Sequence, residues 1–407
     1  MYTYSYEDVL EFINDEDVKF IRLAFCDIFG NQKNISIMPD SLKRAFEDGI
    51  SFDASAVLGF NCGVKSDLLL FPIPSTINIL PWRPSQGKVV RMFCDIKYPD
   101  GTPFENDSRH ILKKAAEYAK SKGITVNFGS EFEFYLFKTD DDGEPTGIPF
   151  DTAGYMDVAP EDKGENIRRE ICLTLLEMGI LPESSHHEEG PGQNEIDFRY
   201  SDALSAADNA MNFITVVKAA AAHNGLYASF MPKPIKGKSG NGMHINISVK
   251  CADGKDRNAP FMAGIMEHIS EITMFLNPCE TSYERFGELK APKYITWSHE
   301  NRSQLIRIPA AKGDFERIEL RSPDPMANPY LAYALIIYAG IDGIDNNMQP
   351  PYPANLNLYD ADDDALKNYR ILPQSFAEAY DEAKNSAFVA KYLPEGFADL
   401  FAQSHIK

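Results

Sequence analysis

The chain has few cysteines and no excess of positive charge, and both absences exclude classes of protein. Its cysteines are scattered and form no C-x-x-C pair, which is typical of reduced thiols in the cytosol rather than of a disulfide framework. Lysine and arginine total 40 against 60 aspartates and glutamates, a net charge of −20, which disfavours nucleic acid and anionic membranes as partners. The six cysteines are Cys26, Cys62, Cys94, Cys172, Cys251 and Cys279.

Long hydrophobic runs are also missing. The most apolar late stretch, residues 330–341, is too short to cross a bilayer, and it predicts a core helix instead. The N-terminus lacks the basic and apolar regions of a signal peptide. Together with the scattered cysteines, these features predict a cytoplasmic protein that does not insert into a membrane.

The common nucleotide and nucleophile motifs are absent. The run from Pro232 to Ser239 ends like a phosphate-binding loop, but Pro232 replaces the first glycine of that motif. No G-x-G-x-x-G follows a predicted strand, and neither H-E-x-x-H nor G-x-S-x-G occurs. A bound nucleotide must therefore be held by other groups, such as metal ions and arginines.

Length and local patterns predict two domains. The chain has 407 residues, of which 44% are hydrophobic, and this length favours two cores over one. The turn at Asp100-Gly101, flanked by prolines, divides the chain into residues 1–103 and 104–407. Predicted strands are Val18–Phe25 and Lys88–Ile96, and predicted helices run from the Asp107 cap to Gly123, from Asp202 to Gly225 and from Asn328 to about Asp342.

Four later segments alternate in an unusual way, with one apolar face and one face of polar and ionisable groups. Because strand side chains alternate between faces, each segment predicts a strand with a charged face. The charged faces carry Glu131 and Glu133; Glu195, Asp197 and Arg199; His244, Asn246 and Ser248; and Arg317, Glu319 and Arg321. Each strand alone is consistent with a solvent-facing sheet. The four together carry almost no lysine, which favours one curved sheet around a charged cleft.

Carboxylates dominate this predicted cleft. If they converge, they cannot all stay ionised without cations, and such ligands favour Mg²⁺ or Mn²⁺. Six ligands suit two ions better than one. Arginines in the same cleft suit oxyanions, and paired metals with arginines are typical of phosphoryl transfer. The candidate ligands are Glu131, Glu133, Glu188, Glu195, His244 and Glu319, and the arginines are Arg302, Arg307, Arg317 and Arg321.

At these residues the sequence resembles the bacterial class I glutamine synthetases, in the same order along nearly the whole chain. The resemblance implies an α+β fold, with an N-terminal β-grasp domain and a large catalytic domain whose curved antiparallel sheet is flanked by helices. It also implies rings of subunits that share active sites. The motifs that carry it are FDASA (52–56), YPDGTPFE (98–105), GSEFEFYLF (129–137), HHEEGPGQNEI (186–196), FMPKP (230–234), GNGMHINIS (240–248), NRSQLIRIP (301–309) and the run over 317–344.

The resemblance further implies a role for each matching residue. One metal ion takes Glu133, Glu188 and Glu195, and the other takes Glu131, His244 and Glu319. The amino-acid substrate is bound by Arg285, Gly240, Arg321 and Ser239. The nucleotide is bound by Glu183, Asn246, Ser248, Arg307 and Arg317, with Arg307 also on the transferred phosphate. The catalytic residues are Arg302, Glu288 and Asp53. Asp53 accepts a proton from ammonium in the site of a neighbouring subunit, and Asp67 lies in the neighbouring loop.

The implied reaction has two steps. The γ-carboxylate of glutamate attacks the γ-phosphate of ATP, which gives an acyl phosphate. A neutral amine then attacks the acyl carbon, and phosphate leaves. ATP, glutamate, and ammonium or another amine are thus the expected partners, beside further copies of the chain.

The sequence departs from the family pattern at four places. The flap, residues 285–292, is one residue short, and Lys290 stands where a glutamate is usual, which leaves Glu288 as the candidate flap acid. Ser239 replaces an asparagine, and Ala56 replaces a serine of the N-terminal loop. The usual terminal helix and tail after Lys407 are expected to be absent.

Three hypotheses follow from these observations. The first is a glutamine synthetase that uses ammonium. The second is a γ-glutamyl ligase for an organic amine, because the departures cluster at the ammonium and flap positions. The third is a non-catalytic homologue, which the retained set of mutually repelling ligands disfavours.

Overall fold

The N-terminal part of the chain forms a six-stranded sheet with two helices. The computed structural model describes residues 4–60, 66–82, 87–311, 313 and 316–405. The strand order is β2-β1-β6-β4-β3, and β5 pairs with β6. The elements are α1 (Tyr6–Asp15), β1 (Val18–Cys26), β2 (Gln32–Ile37), α2 (Leu42–Glu47), β3 (Ile50–Asp53), β4 (Asp67–Pro72), β5 (Asn78–Ile79) and β6 (Lys88–Lys97). The predicted strands at 18–25 and 88–96 are β1 and β6, which run parallel to each other.

The larger part contains a ten-stranded, mainly antiparallel sheet. Its order is β14-β15-β16-β13-β7-β10-β9, and β8, β11 and β12 also pair with β7. The strands are β7 (Ile124–Thr139), β8 (Pro145–Pro149), β9 (Pro182–His187), β10 (Gln193–Phe198), β11 (Ser201–Asp202), β12 (Leu226–Ser229), β13 (Met243–Cys251), β14 (Trp297–His299), β15 (Ile306–Ile308) and β16 (Ile318–Leu320). The predicted α+β fold with a curved antiparallel sheet is confirmed.

Helices cover the apolar side of this sheet. The three predicted helices are α3, α5 and α8, and each begins after its predicted cap, since the side chains of Asp107, Asp202 and Asn328 accept hydrogen bonds from backbone amides of the first turn. The helices are α3 (Ser108–Ser121), α4 (Glu165–Glu177), α5 (Ala203–His223), α6 (Asn258–Leu276), α7 (Glu280–Tyr283), α8 (Pro329–Asp345), α9 (Asp363–Leu366), α10 (Phe376–Lys384), α11 (Ala387–Tyr392) and α12 (Phe397–His405).

The long apolar helix α8 is a core helix, as its sequence predicts. Its residues from Pro329 to Ile341 are all buried, because it packs against α6 and α3. Among the described residues, no helix is both long and apolar enough to cross a membrane. Five cysteines are unpaired thiols, and Cys62 lies outside the described residues.

The register of the central strands brings the charged faces together. Glu131 of β7 lies opposite His244 of β13 and Asp197 of β10. On the other face, Phe132, Phe134, Ile196, Ile245 and Leu320 are fully buried, so burial of this apolar side fixes which side chains face the cleft. Arg199, predicted to share the charged face, follows the end of β10 and is exposed.

Candidate active site

The first candidate metal site joins three adjacent strands. Glu131 of β7, His244 of β13 and Glu319 of β16 each place one ligand atom within 4.8 Å of the others. Nδ1 of His244 lies 3.2 Å from Oε2 of Glu131, and Nδ2 of Asn246 donates to the other oxygen of Glu131 at 2.8 Å. The structure therefore brings together the three residues that the family resemblance assigned to one ion.

The second candidate set is spread over two overlapping groups. Glu133 and Glu195 lie opposite each other in the register of β7 and β10, and His244 completes a group with them. Glu195 also forms a group with Glu188 and His186. Glu133 and Glu188, the other two residues assigned to this ion, are thus both close to Glu195. His186 was missed by the sequence analysis, although it lies two residues before Glu188 on the same edge of the site.

Burial and mutual repulsion dominate the electrostatics of these carboxylates. Burial raises the pKa of Glu133, and burial with the charges of Glu133 and Asp197 raises that of Glu195 well above its usual range. Burial and the charge of Glu131 raise the pKa of Asp197 to about 7. Burial also acts on Glu131, but hydrogen bonds from His244 and Asn246 outweigh it and hold the pKa at about 2. Such a set is stabilised by a bound cation, and its oxygen ligands suit hard divalent ions.

Arginines supply positive charge to the same face. Nη1 of Arg307 and Nη1 of Arg321 each donate to one carboxylate oxygen of Glu319, at 2.5 Å. Glu319 is fully buried, so these two arginines balance its charge. Nε of Arg317 donates to Oδ1 of Asn246 at 2.7 Å, and Arg302 is exposed at the cavity.

Two adjoining cavities follow this charged face. The first, of about 410 Å³, is lined by all the candidate metal ligands and by the arginines Arg285, Arg302, Arg307 and Arg321. The second, of about 440 Å³, contains the predicted nucleotide residues Glu183, Asn246, Ser248 and Arg317, together with Phe198 and Tyr200. Glu131, Asp197 and Arg317 line both cavities. The charged face is therefore continuous from one cavity to the other.

The loop that precedes His244 fits closely around Arg285. A side chain at Gly240 would place its Cβ 2.5 Å from the carbonyl oxygen of Pro232 and 2.7 Å from Cγ of Arg285. Arg285 is buried, and its Nη1 donates to the carbonyl oxygen of Ser322 at 3.1 Å. Oγ of Ser239 donates to Glu189 at 3.2 Å. The predicted substrate residues Arg285, Gly240, Ser239 and Arg321 all line the first cavity.

A buried network fixes the loop that carries Glu188. Nε2 of His187 lies 2.9 Å from Oδ1 of Asp151, and its Nδ1 lies 2.7 Å from the carbonyl oxygen of Glu188. The backbone amides of Lys163 and Gly192 also donate to Asp151. His187 is fully buried. This network, which the sequence analysis missed, positions Glu188 through its backbone.

Two of the predicted catalytic residues lie outside these cavities. Asp53 is exposed at the end of β3, opposite Asp67 of β4, and hydrogen bonds from Ser55 lower its pKa. Glu288 has a side chain that is 64% exposed and lies 3.5 Å from Nζ of Lys233. In contrast, Lys290 lines the first cavity. The roles of Asp53 and Glu288 stay predictions.

Comparison with known proteins supports one family over both parts of the chain. The family model described as "Glutamine synthetase, beta-Grasp domain" matches residues 17–99. The family model described as "Glutamine synthetase, catalytic domain" matches residues 105–406. The chain belongs to the glutamine synthetase family. It is therefore an enzyme of the ATP-dependent ligase class.

Named relatives and solved structures agree with this membership. A glutamine synthetase of Clostridium saccharobutylicum is 46% identical, over 97% of this chain and 92% of the relative. A glutamine synthetase of Methanosarcina mazei is 46% identical over 96% of this chain and 90% of the relative. One of Staphylococcus aureus is 41% identical over 99% of this chain and 94% of the relative. A structure of GmaS in complex with ADP superposes with a TM-score of 0.87, at 29% identity, over 97% of this chain and 94% of that one.

Proposed function

We propose that this glutamine synthetase family member joins ammonia to glutamate with cleavage of ATP, giving glutamine, ADP and phosphate. The observation that carries the proposal is the continuous charged face, in which three overlapping carboxylate and imidazole groups meet five arginines at two adjoining cavities. Relatives named glutamine synthetase support ammonia as the amine. The unpaired cysteines are consistent with a cytoplasmic enzyme.

Two divalent ions fit the carboxylate groups. We propose Mg²⁺ or Mn²⁺ held by Glu131, His244 and Glu319 at one position and by Glu133, Glu188 and Glu195 at the other. When bound, such ions neutralise phosphate oxygens and polarise the transferred phosphoryl group. The residues fit them because burial of Glu133 and Glu195 disfavours their charged forms unless a cation is near.

The protein's own residues bind and orient the substrates. Arg285, Arg321, Gly240 and Ser239 hold glutamate, with its γ-carboxylate toward the charged face. Glu183, Asn246, Ser248 and Arg317 hold the nucleotide in the second cavity, which extends from the same face. The γ-carboxylate attacks the γ-phosphorus and ADP leaves. Arg302 and Arg307 then stabilise the γ-glutamyl phosphate until ammonia attacks the acyl carbon and phosphate leaves.

The paired arginines on Glu319 give this scheme a physical step. Arg307 and Arg321 both donate hydrogen bonds to Glu319. If Glu319 held a divalent ion, the ion would balance its charge, and one of these two guanidinium groups would be able to bind phosphate or the substrate carboxylate instead.

Asp53 completes the scheme only across a subunit boundary. It is exposed and is not among the described residues that line the two cavities, so we propose that Asp53 of a second copy accepts the proton of ammonium within a ring. Mixed assemblies of Asp53→Ala and Glu319→Ala chains should recover activity, because each supplies what the other lacks. Verified mixed assemblies with no recovery would contradict shared sites.

A coupled assay of ADP release tests the proposed function. With glutamate, ATP, Mg²⁺ and ammonium we expect glutamine and ADP in equal amounts, and Glu133→Gln should abolish both. A panel of small organic amines separates the second candidate, a γ-glutamyl ligase for an organic amine. Lys290 lines the first cavity at a position where a glutamate is usual in the family, and this observation favours the second candidate. Absence of ATP turnover with any amine would leave only a non-catalytic role.

A further inference from the structure

An ion pair lies at the mouth of the first cavity. Lys290 belongs to the flap segment, residues 285–292, and its Nζ lies 2.7 Å from Oε1 of Glu189 in the loop between β9 and β10. Both residues line the cavity. Their side chains are 40% and 35% exposed, so the pair lies at the rim and joins the flap segment to the sheet.

The backbone of the flap segment is strained at this pair. Leu289 and Lys290 have φ angles of +45° and +71°, which residues other than glycine rarely adopt. Such strain persists only where surrounding contacts hold it. Here Nη2 of Arg321 donates to the carbonyl oxygen of Lys290 at 3.3 Å, and the ion pair to Glu189 holds its side chain. Loss of the ion pair should therefore let the segment relax.

The surroundings of the Lys290 amino group are those of a cation site. The amino group lies 4.7 Å from the ring centroid of Tyr155, and Oγ of Ser239 holds the other oxygen of Glu189 at 3.2 Å. A carboxylate beside an aromatic face attracts small cationic amines. Lys290 thus fills a position that would also suit ammonium.

We propose that Lys290 is a tethered competitor for the amine substrate. Its pair with Glu189 closes the flap segment over the cavity and must open before ammonium reaches the space between Glu189 and Tyr155. A tethered group acts at an effective concentration on the order of millimolar, so the competition raises the KM for ammonium. This proposal rests on the proposed function, since it assigns the amine's approach to the same site.

Kinetics of three variants test the competition. Lys290→Met keeps the apolar stem without the charge, so the KM for ammonium should fall by about threefold or more, with the KM values of glutamate and ATP nearly constant. Lys290→Arg keeps the ion pair and should behave like the wild type. Lys236→Met, at an exposed lysine outside the cavity lining, is the matched control. An unchanged ammonium KM in Lys290→Met overturns the proposal.

Hydrogen exchange tests closure without any turnover. The amides of Gly287, Glu288 and Ala291 are hydrogen-bonded within the flap segment. Lys290→Met and Glu189→Gln should speed their exchange by about tenfold, whereas Lys290→Arg should not. Unchanged exchange in both variants overturns the closure. If the wild type fails to make glutamine but the variants still exchange faster, the proposed function fails while the ion pair's role in closure stands.

Discussion

The charged face of the sheet forms one wall of the two cavities. This wall and the flap segment hold their side chains by different means. In the wall, β7, β13 and β16 are paired strand to strand, and their apolar faces are buried, so Glu131, His244 and Glu319 are fixed by register. The flap segment contains no strand or long helix, and an ion pair at its rim joins Lys290 to Glu189. Substitutions in the wall should therefore affect stability and metal binding, and those in the flap should affect substrate affinity.

The largest expected effect is in the wall. Glu319→Gln leaves buried Arg321 without its carboxylate and removes a metal ligand, so the apo protein should lose about 3–5 kcal/mol of unfolding free energy. Urea denaturation measures this loss, and calorimetry with Mn²⁺ should find one site fewer. Glu267→Gln, which removes an exposed pair to Arg370, should cost below about 1 kcal/mol. Equal losses in the two variants would break the contrast between wall and surface.

The loop that carries Glu188 is held by a buried side-chain network. Asp151→Asn weakens the contact that orients His187 and, through it, the backbone of Glu188. We expect Mn²⁺ affinity to fall by about 10–100-fold, measured by calorimetry, with the secondary structure retained in circular dichroism. Asp157→Asn serves as the control. Asp157 lies in the same region, and among the described residues its side chain accepts a hydrogen bond only from the amide of Gly154. Unaltered affinity in Asp151→Asn would show that the network is structural only.

The unfolding free energy of the apo protein should depend on pH through Asp197 in the wall. The pKa of Asp197 is raised to about 7 by burial and by Glu131, so the folded state holds this proton more tightly than the unfolded state. Its contribution to stability is present below about pH 4 and is lost as pH rises through 7. Between pH 5 and the folded pKa of about 7, each pH unit is worth about 1.4 kcal/mol. Asp197→Asn should therefore stabilise the apo protein at pH 8 by about 2–3 kcal/mol relative to its effect at pH 5.

Urea midpoints at the two pH values, with and without Mn²⁺, measure this difference. A saturating divalent ion should raise stability, by about 2.7 kcal/mol at a hundredfold excess over its Kd, and should reduce the loss at high pH. A variant effect that is the same at both pH values would exclude Asp197 as its source.

The smallest expected effect is in the flap. Glu288 is exposed and lies 3.5 Å from Lys233, so Glu288→Gln should change the unfolding free energy by less than about 0.5 kcal/mol. With the flap segment in this conformation, its effect on the ammonium KM should also be smaller than that of Lys290→Met. A larger effect would identify Glu288 as the flap acid and would require the segment to rearrange during turnover.

Local sequence patterns predicted the central strands, three of the helices and the faces of the strands. Alternation of apolar and ionisable residues is a local property, so it predicted which side chains of β7, β10 and β13 share a face. Helix caps are equally local, and α3, α5 and α8 begin where Asp107, Asp202 and Asn328 indicate. Arg199 was misassigned because periodicity does not mark the residue at which a strand ends.

How distant segments meet depends on tertiary packing. Register between strands placed Glu195 opposite both Glu133 and His186, and the turn after β9 brought Glu188 beside them. The partner of Lys290, the outward position of Glu288 and the support of Glu188 by Asp151 depend on contacts between residues far apart in the sequence. Such contacts follow from the packing of the whole chain, which local periodicity does not encode.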